Sequence, residues 1–131
     1  MQDKVVSISA DDTLRVVKEI MEHGSVRHLP VVRGGDLVGV VSQRDLLKAS
    51  LSSVMGLPAE EQALFLEGVS ITEVMSAPPV TIEADAGIDE AAREMATRKI
   101  GCLPVIDAGQ FVGIITETDL LRHFAGITKS A

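Results

Sequence analysis

The chain contains one segment of about 45 residues twice, and this duplication constrains its fold more than any other feature. Leu29-Pro30-Val31-Val32 returns as Leu103-Pro104-Val105-Ile106, 74 positions later. The segment 39–45 returns as 113–119 at the same offset. A repeat of this length is usually one supersecondary unit that cannot bury its apolar face alone. We therefore expect two pseudo-symmetric units, with any ligand bound at or near their joint.

Composition limits the classes of function. The chain has 131 residues, of which 46% are hydrophobic, so we expect one globular unit in which the repeats bury each other's apolar faces. A net charge of −7 and the absence of Trp and Tyr argue against nucleic-acid binding, which needs a basic face and stacking platforms. No apolar run approaches the roughly 18 residues that span a bilayer. A single cysteine fits a reducing compartment, so we expect no membrane insertion and a cytoplasmic location.

Each repeat is predicted to run strand, helix, strand, strand, helix, which is an α/β fold of α+β-like character. In the first copy we expect strands at 5–8, 29–32 and 37–41, with a hairpin turn over 33–36. A helix capped by Asp11 or Asp12 should precede the hairpin and end near Gly24, and a second helix should begin near Ser42. The apolar positions of the first helix have the spacing of one buried face and are Leu14, Val17, Ile20 and Met21.

The second copy repeats this plan with strands at 80–82, 103–106 and 111–115 and a first helix over 88–95. Three apolar residues of its last helix, Leu120, Leu121 and Phe124, are expected to face inward. The domain boundaries that follow are 1–50 for the first repeat, 51–71 for a connecting segment with a helix after Pro58, and 72–131 for the second repeat.

Both copies end a strand and open a helix with the pattern Gly-x-x-Ser/Thr-x-x-Asp, which we call the signature. One interpretation is structural, because a hydroxyl at the N-cap and a carboxylate three residues later form a capping box. The other is a ligand site, because free backbone N–H groups gather at such turns and bind anions. A carboxylate there can also accept hydrogen bonds from both hydroxyls of a ribose. One residue can serve both roles.

The signatures, the two Leu-Pro-Val motifs and Val74-Met75 before Pro78-Pro79 together resemble a tandem pair of cystathionine-β-synthase (CBS) domains. That resemblance implies two β-α-β-β-α repeats packed sheet to sheet. It also implies a non-catalytic regulatory module that binds AMP, ADP, ATP or S-adenosylmethionine in clefts between the repeats. Energy sensing is one such role, and signalling would occur by conformational or dimer change.

The resemblance also implies the residues of two ligand clefts. The Asp45 cleft would use Ser42, Arg44, Asp45, Arg27, His28, Val80, Thr81, Gly101 and Cys102. The Asp119 cleft would use Thr116, Asp119, Val6, Ser7, Arg27 and His28. We expect the Asp45 cleft to bind better, because Arg27, His28 and Arg44 offer cationic donors to phosphate whereas Glu117 would repel it. The alternative for the two arginines is an ordinary solvated surface charge.

No nucleophile–base pair and no metal-ligand spacing is visible, so we expect neither an enzyme nor a metal site, with Cys102 a pocket-lining thiol. We expect a homodimer and an effector domain or subunit that reads the ligand. The apolar residues expected to exceed what one pair can bury are Leu14, Leu47, Leu51, Leu121 and Phe124. The alternatives are a dimerisation or structural module that binds no ligand and a regulator that responds to Mg²⁺.

Overall fold

The computed structural model describes residues 6–24, 26–54 and 56–127, apart from the side chains of 50–54 and 63. These residues form two compact units, 6–79 and 80–127. Each unit contains one three-stranded sheet. No helix within the described ranges is both long and apolar enough to cross a membrane.

The first unit follows the predicted order of elements and then adds two helices. Its sheet has the order β1-β2-β3, with β1 parallel and β3 antiparallel to the central strand. The elements are β1 (Ile8–Ser9), α1 (Leu14–Gly24), β2 (His28–Arg33), β3 (Asp36–Ser42), α2 (Gln43–Val54), α3 (Ala59–Glu67) and α4 (Ile71–Val74).

The second unit repeats the first at the same offset. Its elements are β4 (Ile82–Glu83), α5 (Ile88–Arg98), β5 (Cys102–Asp107), β6 (Gln110–Thr116) and α6 (Glu117–Ala125). Even the irregularity of the sheet is repeated, because the register shifts between Val31 and Val32 in one unit and between Val105 and Ile106 in the other. The predicted mixed α and β fold with two equivalent repeats is confirmed.

Both hairpin turns lie where the sequence predicts them, at 33–36 and 107–110, and the flanking strands extend into their outer residues, so that two residues connect the strands. Gly34 and Gly35 have φ of 58° and 86°, and Ala108 and Gly109 have φ of 51° and 79°. Two-residue turns with both φ values positive match the right-handed twist of the flanking strands. The residues beside each turn therefore extend the strands, as Arg33 does by pairing with Asp36.

The core of the first unit lies between α1, the sheet and the connecting helices. Leu14, Val17 and Met21 are buried on one face of α1, as their spacing predicts. Leu66 of α3 and Ile71 of α4 are also fully buried in this core. The connecting segment is thus part of the first unit's core, and each such side chain contributes about 1.5–3 kcal/mol by burial.

Two predictions about α6 and one about α1 are wrong. Leu120 is buried in the second core, but Leu121 and Phe124 are 68% and 61% exposed. Leu121 lies about 100° around the helix from Leu120, and Phe124 lies one turn further along, beside the helix end at Ala125. Conversely, Leu14 is 0% exposed and cannot contribute to a dimer surface. The side chain of Leu51 lies outside the described residues.

The first strand of each repeat begins later than predicted. β1 covers Ile8–Ser9 and β4 covers Ile82–Glu83, so Val6, Ser7, Val80 and Thr81 precede the strands. The reason is pairing, because Ile8 and Ser9 find partners only opposite Val31 and Val32 of β2. β-Branched residues favour a strand, yet a strand extends only where a neighbour is present. Val5 lies outside the described residues.

The segment before the second repeat is bound to the sheet of the first unit. Ser76 donates its N–H to the Val40 carbonyl at 2.9 Å, and Val40 donates to the Ser76 carbonyl at 3.1 Å. Met75 packs beside this pair, over Gly39. A Cβ on Gly39 would lie 2.5 Å from Met75 Sδ and 2.9 Å from Ser76 O, so this approach requires glycine.

Candidate functional site

The signature of the first unit lies at the turn from β3 to α2 and forms a reciprocal cap. The backbone N–H of Ser42 donates to Asp45 Oδ2 at 2.9 Å, and the N–H of Asp45 donates to Ser42 Oγ at 3.1 Å. The capping interpretation is therefore confirmed here. It leaves the second carboxylate oxygen of Asp45, Oδ1, without a hydrogen bond to any described residue.

The second signature has the same geometry at the turn from β6 to α6. The N–H of Thr116 donates to Asp119 Oδ2 at 2.9 Å, and the N–H of Asp119 donates to Thr116 Oγ1 at 3.2 Å, a complete capping box. The Thr116 hydroxyl lies 3.0 Å from the same carboxylate oxygen. Helix α6 thus begins at a fixed point, with a carboxylate in its first turn that also suits the helix dipole.

Each signature is joined to the segment that precedes Leu-Pro in its own repeat. Gln43 donates its N–H to the Arg27 carbonyl at 2.8 Å, and Glu117 donates to the Gly101 carbonyl at 3.0 Å. In the sheets, His28 is paired with Ser42, and Cys102 with Thr116. The first unit therefore brings Arg27 and His28 to its signature, and the second brings Gly101 and Cys102 to its own.

These bonds change the expected role of the backbone. Three of the four N–H groups from Ser42 to Asp45 already donate within the unit, and the same holds from Thr116 to Asp119. The expectation that free N–H groups gather at these turns is wrong for those three. Two of them donate to the side chains of the cap, and the third donates to a carbonyl of the segment before Leu-Pro. A phosphate at the first signature would therefore depend mainly on side chains.

The cationic side chains near the first signature are available for that purpose. Arg27 and Arg44 are both exposed, and neither forms an ion pair with a described residue. At the second signature the positions of Arg27 and Arg44 are taken by Gly101 and Thr118, beside Glu117. The first signature therefore has two exposed arginines nearby, and the second has none at the equivalent positions. The alternative that the two arginines are only solvated surface charges stays open.

The remaining predicted residues precede the first strand of each repeat. Val6, Ser7 and Thr81 are exposed, and Val80 is half-buried against the second core. Their assignment to the signature of the opposite repeat stays a prediction. Sequence reasoning did not find an open pocket of about 290 Å³ in the first unit, between the β1–α1 turn, Arg33 and residues 67–70. The residues that line this pocket form no sequence motif from which it could have been predicted.

Cys102 is buried, and its environment opposes nucleophilic chemistry. Burial raises the pKa of its thiol to about 12, because the charged thiolate loses its hydration there. The reactive thiolate is therefore nearly absent at neutral pH. No group of three or more His, Cys, Asp or Glu side chains in the described ranges is placed to hold a metal ion.

We expect Cys102 to react slowly with a thiol reagent such as Ellman's reagent. At pH 8 the rate in the folded protein should be roughly 1,000-fold below that in guanidinium, because the thiolate fraction falls by that factor. The folded rate should rise about tenfold per pH unit from pH 8 to 10. Similar rates in the folded and unfolded protein would contradict the burial of this thiol.

The comparisons with known proteins agree with this architecture. A family model described as the CBS domain matches residues 1–52 and 71–126. A CBS domain-containing protein of Dictyostelium discoideum is 34% identical over 123 residues, which are 92% of this chain and 85% of that protein. An acetoin utilization protein candidate (AcuB) from Vibrio cholerae has a similar solved structure, with 35% identity, a TM-score of 0.78 and coverage of 96% and 87% of the two chains.

A second solved structure contains ligands. It is the CBS domain pair of protein MJ0100 in complex with 5′-methylthioadenosine and S-adenosyl-L-methionine. It is 25% identical, with a TM-score of 0.79 and coverage of 96% of this chain and 92% of that one. Three other curated relatives are longer, and the chain spans 21% to 44% of them; one is an inosine-5′-monophosphate dehydrogenase. The two matched segments cover most of the sequence, so the chain belongs to the CBS domain family as a tandem pair of repeats.

Proposed function

We propose that the chain is a non-catalytic regulatory module that binds an adenosyl ligand, either AMP, ADP or ATP or S-adenosylmethionine, at its signatures. The ligand would occupy the Asp45 site in preference to the Asp119 site. It would act on a partner by changing the arrangement or the dimerisation of the repeats, and it would do so in the cytoplasm. A ligand shifts such an equilibrium only as far as it prefers one arrangement.

The observation that carries this proposal is the state of the Asp45 carboxylate. Its Oδ2 is committed to the cap, which fixes the side chain, whereas Oδ1 has no partner among the described residues. A fixed carboxylate with a free acceptor is suited to the hydroxyls of a ribose, and Arg27 and Arg44 lie exposed at the same turn. Further support comes from the adenosyl ligands bound by the CBS pair of MJ0100.

The test is thermal unfolding, detected with a dye, in the presence of AMP, ADP, ATP, S-adenosylmethionine, NAD or Mg²⁺. A ligand at about 100 times its Kd should stabilise the fold by about 2.7 kcal/mol, which raises Tm by several degrees. A shift with Mg²⁺ alone that EDTA removes would replace the proposal by a regulator that responds to Mg²⁺. No shift with any compound, in protein freed of carried-over nucleotide, would contradict the proposal.

The second candidate is a dimerisation module that binds no ligand. The observation in its favour is the exposure of apolar side chains on two helices that begin at the signatures, Leu47 of α2 and Leu121 and Phe124 of α6. Large apolar side chains left in solvent often mark an interface. A homodimer is compatible with both candidates, and only the absence of every ligand response would favour the second.

A further inference from the structure

Helix α3 lies between the two repeats and outside the repeated unit. Residues 53–70 lie outside both segments that match the CBS domain, and α3 occupies 59–67 of that interval. The helix is nevertheless firmly held. Leu66 is buried in the core of the first unit, and Arg15 Nη1 of α1 lies 2.9 Å from Glu67 Oε2. A helix anchored on one side presents its other side to solvent in a fixed orientation.

That outer side combines apolar and acidic residues. Leu64 is 67% exposed and Phe65 37% exposed. Glu60 lies one turn before Leu64, and Glu61 one turn before Phe65, so the four residues share one face, which we call the α3 face. Neither Glu60 nor Glu61 forms an ion pair with a described residue. Leu57, just before the helix, is also exposed.

We propose that the α3 face docks a basic amphipathic helix of a partner protein. Leu64 and Phe65 offer apolar area to bury, and the two carboxylates beside them would pair with Lys or Arg on the partner. A second copy of this chain is a poorer occupant, because it would bring like carboxylates together in a chain of net charge −7. This inference goes beyond the proposed ligand site and does not depend on it.

The position of α3 also suits transmission of a signal. Helix α3 packs against α2, and α2 begins at the signature that contains Asp45. A change at the start of α2 would therefore reach the α3 face through directly packed elements of one unit. Docking of a partner at the α3 face does not require a ligand at that signature, and a ligand there would add a means of regulating the docking.

The test measures fluorescence anisotropy of a labelled helical peptide of about 18 residues, five turns, made of Leu and Lys in an amphipathic pattern. We expect micromolar binding that weakens with salt, and no binding of the matched Leu and Glu peptide. Leu64→Gln should weaken binding at least about tenfold. The double variant Glu60→Gln/Glu61→Gln should weaken it several-fold and flatten its dependence on salt.

Matched controls come from the other unit. Ile127→Gln removes an apolar residue of similar exposure, 58%, and Asp89→Asn/Glu90→Gln removes an acidic pair in the first turn of α5. Both should bind the peptide as the wild type does. Equal weakening in the controls would overturn the proposal, since it would reflect general attraction to an acidic protein. Absence of binding, or self-association in sedimentation velocity that Leu64→Gln abolishes, would overturn it as well.

Discussion

Gly39→Ala is expected to destabilise the protein by about 3 kcal/mol. The new Cβ would meet Met75 Sδ at 2.5 Å and the backbone oxygen of Ser76 at 2.9 Å. The sulfur can move, but the carbonyl cannot move without breaking the paired hydrogen bonds between Ser76 and Val40. The cost is therefore overpacking together with loss of a bridge that binds the segment before the second repeat to β3.

Urea or thermal unfolding measures this cost, and Gly68→Ala is the matched control. Gly68 belongs to the same unit, has φ of −88°, and its Cβ would meet only Phe65 O at an ordinary 3.6 Å. Gly68→Ala should leave the free energy of unfolding unchanged or raise it by less than about 1 kcal/mol. Unfolding of Gly39→Ala at the wild-type midpoint would show that residues 75–76 do not lie against Gly39.

The importance of Gly39 illustrates what the sequence could and could not predict about the fold. Local patterns predict the order of elements, both hairpins and the buried face of α1. Because the segment is repeated, the pattern of one copy can be compared with that of the other. The contact of Met75 with Gly39 joins residues far apart in the sequence, so no local pattern reveals it. The starts of β1 and β4 were missed for a related reason, because pairing with β2 and β5 determines them.

For the candidate site too, the sequence predicts the local geometry but not the contacts between distant segments. The signatures indicated where carboxylates would be fixed, and both caps form as the capping pattern predicts. The pattern could not show that Arg27 and Gly101 accept the N–H of the residue after the cap, because those bonds depend on how β2 and β5 align with the turns. The division into 1–50, 51–71 and 72–131 and the residues of each cleft stay predictions.

Asp45→Ala is expected to abolish the ligand-induced rise in Tm at a ligand concentration that saturates the wild type. Two separate losses are involved. The carboxylate that accepts the Ser42 N–H is removed, whereas the bond from the Asp45 N–H to Ser42 Oγ remains, and the loss costs about 1 kcal/mol of stability. The proposed acceptor for the ribose hydroxyls is also removed, and hydrogen bonds to a charged group contribute about 1.5–3 kcal/mol each, so affinity should fall at least about 100-fold.

Asp12→Ala separates these two losses, because it removes a similar carboxylate outside the signatures. Asp12 Oδ2 accepts the N–H of Ser9, three residues earlier, at 3.1 Å, much as Asp45 Oδ2 accepts that of Ser42. Asp12→Ala should lose comparable stability yet keep its affinity for the ligand in calorimetric titration, and Asp119→Ala should lose less affinity than Asp45→Ala. An equal loss of ligand affinity in Asp12→Ala and Asp45→Ala would show that binding depends on the stability of the unit. The Asp45 carboxylate would then be only a helix cap.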